Sequence, residues 1–299
     1  MKATAQTLTA PSLEKSWLAV LSDLIKARLT ALVLLTTLAG FYLGWSGPAD
    51  FTLLFNTLFG TGLLAAGAAA LNQLMEREHD ALMTRTETRP LPSGRLQAST
   101  VLWFGTVCSL LGLAYLALTV NLAACLIGAM TIVTYLFVYT PLKRVTSLNT
   151  LVGAVPGALP PLIGWVAARG QVSRGGLALF AILFFWQLPH FLAIAWIYRD
   201  QYARAGFKML PVVDPSGERT RYQAVSHTLA LLPFSLCPFV FQMSGLVYLA
   251  GAMVLGGCFL WSAVQFSRQL SIPAARRLFF VSIIYLPLLL GLMVLDKLN

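Results

Sequence analysis

The 299-residue sequence predicts an all-α polytopic membrane protein of nine transmembrane helices, with its N-terminus in the cytoplasm and its C-terminus outside. Three observations carry that prediction. Hydrophobic residues make up 58% of the chain and charged residues only 11%, against about 25% charged in an ordinary soluble domain. Apolar runs of about the 20 residues a bilayer requires recur nine times. The Lys and Arg residues fall almost entirely in alternate connections between those runs.

Taken in order, the apolar runs bounded by charges and Pro/Gly clusters are 29–46, 51–71, 101–119, 121–142, 149–168, 176–198, 224–243, 245–266 and 278–295. Residues 1–28 form a cytoplasmic N-terminal segment, and 29–299 a single intramembrane domain. Within that segment, Trp17–Lys26 mixes Trp17, Leu18, Leu21, Leu24 and Ile25 with Asp23 and Lys26, so it either lies along the membrane interface or begins the first helix. No signal-peptide pattern precedes it, and the segment is expected to be retained.

Counting Lys and Arg places 18 of 21 in the N-terminal segment and loops 72–100, 143–148, 199–223 and 267–277. The other face keeps Arg169, Arg174 and Lys297. The net charge of +10 is therefore a topology signal. It is spread over five short segments, whereas a nucleic-acid surface is contiguous and interleaved with stacking aromatics, and nucleic acid is excluded as a partner. The four cysteines, Cys108, Cys125, Cys237 and Cys258, stand alone in apolar stretches without metal or redox spacing and read as core residues.

No apolar run contains Asp, Glu, Lys or Arg, which argues against an ion-coupled transporter with mid-membrane charges. The acids collect instead in two loops on one face. In the first, Asn72, Glu76 and Asp80 recur every four residues at the end of the second helix, so all three oxygen-bearing side chains share one helical face. Two carboxylates so close repel unless a cation relieves them. Mg²⁺ suits such an incomplete set, completing its shell with water and phosphate oxygens.

Arg85, Arg89 and Arg95 follow within the same loop, and guanidinium groups donate bidentately to phosphate. Acids that hold a metal beside arginines that hold phosphate describe a diphosphate site. The second loop, from Pro189-His190-Phe191 through Tyr198-Arg199-Asp200-Gln201-Tyr202, brings another acid and further cations to that face; Tyr139-Thr-Pro-Leu-Lys143-Arg144 adds more. The Gly/Pro-rich stretch 153–165 either serves helix packing or shapes a wall for a large flat ligand. His227 matches no motif.

Five ordered pieces carry a resemblance over most of the chain: Asn72-x3-Glu76-x3-Asp80, Met83-x-Arg85-Thr-x2-Arg89-Pro-Leu, Pro-Gly-Ala-Leu-Pro-Pro at 156–161, Pro189-His190-Phe191, and Tyr202-Ala-Arg-Ala-Gly206-x-x-Met-Leu-Pro211. The sequence resembles the intramembrane prenyltransferases of the UbiA type, and within them the branch that farnesylates protohaem IX. The resemblance implies nine helices around a central cavity, with active-site loops 72–100 and 198–223 on the cytoplasmic side of the inner membrane. It implies farnesyl diphosphate as donor, bound through Mg²⁺, and haem b as acceptor substrate. Farnesyl transfer to the 2-vinyl group with addition of water would give haem O and diphosphate, and a haem A synthase is an implied partner.

Carried over residue by residue, the resemblance implies Asn72, Glu76, Asp80 and Asp200 as the metal and catalytic set. Arg85, Arg89, Lys143 and Arg199 would bind the diphosphate, and His190, Tyr139 and Tyr202 would face the acceptor, with Phe184, Phe185 and Trp186 as further aromatic wall. The sequence departs from the wider superfamily in its second motif, where Asp200 stands alone among Tyr198, Gln201 and Tyr202; the resemblance does not fix how many metals bind. A same-fold enzyme acting on a quinone or chlorophyll precursor, and a haem-handling protein or transporter without catalysis, are the competing readings.

Overall fold

The computed structural model describes residues 16–48 and 50–298; the remainder of the N-terminal segment lies outside the described residues. A short helix α1 (Trp17–Leu24) precedes α2 (Ala27–Gly44), α3 (Phe51–Asp80), α4 (Ala98–Thr119), α5 (Leu122–Leu142), α6 (Asn149–Arg169) and α7 (Arg174–Ile197). Two short connectors, α8 (Arg199–Arg204) and α9 (Leu210–Val213), lead to α10 (Glu218–Val240), α11 (Leu246–Gln269) and α12 (Ile272–Leu295). Nine of these are long and apolar enough to cross a membrane among the described residues. Their outward faces carry Leu, Val and Phe side chains, such as Leu118, Phe137 and Val254, as a lipid-facing surface requires.

Helix α6 is the most buried of the nine spans. Its fit against α2 depends on two glycines: a Cβ on Gly164 would lie 1.9 Å from the Thr37 carbonyl oxygen, and one on Gly40 1.9 Å from that of Pro161. The stretch 156–161 is thus first a packing surface, with Pro156, Pro160 and Pro161 all inside α6 and buried. On the face towards α7, Gln187 donates to the carbonyl of Ala154 at 2.8 Å.

Helix α3 continues from the apolar run to Asp80, as the four-residue spacing of the ladder predicts, and carries the ladder at the bundle end. Two other features differ from a plain reading of hydropathy. Residues 133–139 of α5 form π-helical turns immediately before Pro141, which has no N–H to give to the preceding turn. The segment before the first span is neither a continuous start of α2 nor a plain extension, because the chain breaks at Lys26 in the left-handed region (φ +49°, ψ +53°). At the opposite end of the bundle, Lys297 donates to the carbonyls of Tyr42 and Trp45 and fastens the end of the chain to α2.

Candidate active site

Asn72, Glu76 and Asp80 stand on successive turns of α3 and face the protein interior, 1%, 5% and 1% exposed. Each meets one cation, and each cation comes from a different segment. Lys26 Nζ donates to Asn72 Oδ1 at 2.7 Å, Lys143 Nζ to Glu76 Oε1 at 2.7 Å, and Arg89 Nη1 to Asp80 Oδ2 at 2.6 Å. Asn72 also donates to Thr140 Oγ1 at 3.1 Å, a contact that ties the ladder to the end of α5. The other Asp80 oxygen, Oδ1, is buried without a hydrogen-bond partner.

The charges at these groups follow from their neighbours. Burial works against the Lys143 ammonium, but Glu76 outweighs it and holds the Lys143 pKa above its usual value. Burial, then Arg89 and Lys143, pull the Lys26 pKa down to about 7 against the opposing pull of Glu76 and Asp80. The Lys143 ammonium also lies 4.5 Å from the Tyr139 ring centroid, over its face.

Beside the ladder a cavity of about 160 Å³ is lined by Arg85, Tyr139, Lys143, Thr150, Phe191, Ile194, Tyr202 and Met209. The two loops meet across its mouth: Arg85 donates through Nη2 to the Tyr202 hydroxyl at 3.0 Å and through its backbone N–H to Gln201 Oε1 at 3.3 Å. Its guanidinium also stands 5.1 Å from the ring centroid of Tyr198. The segment after α8 returns over the site through Gly206, whose φ of +74° suits glycine, and Lys208 N–H donates to the Lys143 carbonyl at 2.7 Å. His79, on the same helix as the ladder, makes a 2.8 Å hydrogen bond with the Ala205 carbonyl oxygen. A recess of about 90 Å³ adjoins the cavity at Thr150 and has Gln223 and His227 in its wall.

The structure thus gathers seven of the residues selected by sequence: Asn72, Glu76, Asp80, Arg89, Lys143, Arg85 and Tyr139, with Tyr202 as an eighth. Others lie apart. Asp200 is 91% exposed and pairs with Arg199 at 3.6 Å, while the Arg199 guanidinium sits over the Trp196 ring. The reason is local: in the short helix α8, Gln201 and Tyr202 take the positions that face Arg85, which turns Asp200 outward. Among the described residues no three His, Cys, Asp or Glu side chains converge as a metal centre, so Asp200 does not join Glu76 and Asp80.

His190 does not line the cavity. It stacks between Trp186 and Phe279, at 5.2 and 5.0 Å, and its Nδ1 lies 2.7 Å from Ser282 Oγ on α12. Trp186 donates to the Ser282 carbonyl, and Phe185 stacks on Phe234, so with Phe184 these rings serve the α7–α10–α12 core. The aromatic cavity wall is Tyr139, Phe191 and Tyr202 instead. Lys26 was legible only as an N-terminal basic residue; its place at the ladder depends on a break that no Gly or Pro marks.

The residues fit a divalent metal. Two carboxylates and an amide oxygen on one face are hard ligands, and the orphaned Asp80 Oδ1 is a buried acceptor that lacks a cation. With the cations around them they define a site for an anionic, metal-bound leaving group at one end of an apolar bundle.

The comparisons agree with that class. The chain belongs to the UbiA prenyltransferase family, whose model matches residues 33–284. It is therefore a multi-pass membrane enzyme of the prenyltransferase class. A protein of Solibacter usitatus called protoheme IX farnesyltransferase is 49% identical over 284 residues, covering 92% of this chain and 97% of that protein. One of the same name from Koribacter versatilis is 42% identical over 286 residues, covering 92% of each. Among solved structures, digeranylgeranylglyceryl phosphate synthase superposes with a TM-score of 0.80 at 16% identity, over 93% of this chain and 98% of the other. A UbiA homologue from Archaeoglobus fulgidus bound to DMAPP and Mg²⁺ superposes with a TM-score of 0.64 at 16% identity, over 91% and 98%.

Proposed function

We propose that this protein transfers the farnesyl group of farnesyl diphosphate to the 2-vinyl group of haem b, with addition of water, giving haem O and diphosphate. The observation that carries the reading is the buried Asn72–Glu76–Asp80 ladder, each rung paired with a cation, at the edge of an aromatic-walled cavity. The relatives named for this activity supply the acceptor.

Asn72, Glu76 and Asp80 would hold Mg²⁺, which supplies Lewis-acid stabilisation of the departing diphosphate. Arg85 and Lys143, which line the cavity, and Arg89, which pairs with Asp80, would neutralise phosphate oxygens as negative charge grows. The faces of Tyr139, Phe191 and Tyr202 stabilise the allylic cation left on the prenyl chain, and the enclosing helices keep bulk water from it. Asp200 and Arg199, at the exposed rim, would meet the metal diphosphate from the second loop as it enters.

His190, next to the cavity-lining Phe191 but outside the cavity, would meet the acceptor from the seam of α7 and α12. With the Ser282 hydroxyl donating to the Phe279 carbonyl at 2.6 Å, its oxygen is placed to accept from His190 Nδ1–H. In that tautomer the Nε2 lone pair is left for haem iron or for the water that completes the product. The basic face with both active-site loops lies on the cytoplasmic side of the inner membrane in this reading, and a haem A synthase would consume the product.

Replacing Asp80 tests the reading at its centre. Asp80→Ala and the isosteric Asp80→Asn should lower diphosphate release from farnesyl diphosphate by about 100-fold or more, in protein that still elutes as a folded species. Wild-type turnover in either variant contradicts it.

A further inference from the structure

The three ladder pairs are not equivalent. Lys143 and Arg89 each meet a carboxylate, but the partner of Lys26 is the neutral amide of Asn72. Of the three, only Lys26 has a hydrogen-bond partner without charge, so an incoming anion competes there with a weaker partner than at the carboxylate rungs.

The backbone is built to put it there. Lys26 is one of three non-glycine residues with positive φ among the described residues, a conformation that L side chains adopt only where their surroundings hold it. The break is held from α3: Gln73, the neighbour of Asn72, donates through Nε2 to the carbonyls of Asp23 and Leu24 at 2.9 and 2.7 Å. Thr30 Oγ1 closes the next carbonyl, that of Ile25, at 2.7 Å. Leu24 packs with Ala70 and Val101 beneath the break. One helix therefore fixes both the strained turn and the acceptor of the side chain that the turn projects.

We propose that Lys26 is a placeholder cation: it holds Asn72 Oδ1 while that oxygen has no metal, and turns to a diphosphate oxygen when a metal takes Asn72. The flexible four-carbon stem and three donors of lysine permit the exchange, which a rigid guanidinium fork does less readily. Gln73 and Thr30 keep the backbone in place meanwhile. The inference rests on the metal–diphosphate reading of the ladder and adds Lys26 to it as a residue that faces metal and diphosphate in turn.

The two partners make opposite predictions for one substitution. In the full chain purified in detergent, Mn²⁺ binding alone is measured by electron paramagnetic resonance, and inorganic diphosphate binding at saturating Mn²⁺ by calorimetry. Lys26→Met should tighten Mn²⁺ and weaken diphosphate, each by about tenfold. Lys26→Arg should return diphosphate binding towards wild type. Lys26→Gln, which keeps a donor for Asn72 without the charge, covers the case in which the Met variant does not fold, and is expected to shift the two affinities in the same opposite directions.

Parallel weakening of both ligands with a lowered melting temperature would make Lys26 a structural pin of α1 onto α3 and overturn the proposal. Unchanged affinities for both would overturn it as well. Wild-type protein that binds neither Mn²⁺ nor diphosphate would instead defeat the reading of the ladder itself.

Discussion

A side chain at this site is defined by its partner more than by its type. Asp80 and Asp214 are both buried acids, yet they do different things. Asp80 keeps one oxygen for Arg89 and leaves the other unpaired, which suits it to the metal-binding role we propose. Asp214 is fully engaged: Oδ2 accepts from the Thr220 N–H and hydroxyl, and Oδ1 from Ser216, fixing the first turn of α10. Burial raises the Asp214 pKa, but these donors outweigh it and hold the carboxyl below its ordinary value. That stabilisation is present above the unfolded-state pKa of about 3.9 and is lost as pH falls through the lower folded value. Asp214→Ala should therefore cost about 2 kcal/mol at neutral pH, and thermal unfolding should show the gap to wild type closing below about pH 4.

In the proposed reaction Ser282, which touches only His190 and the Phe279 carbonyl through its hydroxyl, would act through His190. If it sets the tautomer as argued, Ser282→Ala should reduce haem O formation by about tenfold or more while leaving farnesyl diphosphate affinity unchanged. Equal activity would place His190 outside the reaction. The ladder was legible in the sequence because i, i+4 spacing puts its rungs on one face whatever surrounds them. His190 was legible as a residue but not in its orientation, since Ser282 lies 92 positions away and only the packing of α7 on α12 brings the two together.

At the scale of the helix, long apolar runs located all nine candidate spans of the described residues, because the bilayer length and the need to satisfy backbone groups leave few choices; the polar ends of α3, which runs on to Asp80, and of α10 and α12, which begin at Glu218 and Ile272, lie outside those runs. The departures occur where side chains decide. The π turns of α5 and the break at Lys26 carry no distinctive residue of their own, and the first is set by the helix's approach to Pro141, the second by Gln73 reaching from α3. The outward turn of Asp200 was equally hidden, since a six-residue helix has no hydrophobic period to read. The contact of α2 with α6 is the tightest test of the packing. Gly164→Ala should destabilise the fold by about 1–3 kcal/mol, because its Cβ would meet backbone at 1.9 Å, whereas Gly257→Ala, with nothing within 4 Å, should be neutral. Detergent melting curves of the two variants separate these outcomes.

Across the whole molecule, nine spans deliver cations from the α1–α2 break, the loop after α3 and the end of α5 to one face of one helix, while the lipid-facing surface stays apolar. The buried ladder and its three cations lie at one end, and the cavity beside them is walled by rings and aliphatic side chains, an arrangement suited to an amphiphilic donor with an anionic head and a prenyl tail. The central claim is that this site joins that donor to haem. Its most direct test is to incubate the purified protein with haem b, farnesyl diphosphate and Mg²⁺, with an EDTA control, and to analyse the extracted porphyrins by mass spectrometry. A product heavier than haem b by one farnesyl group and one hydroxyl, absent with EDTA, is the predicted result; unmodified haem from folded protein that consumes farnesyl diphosphate would contradict it.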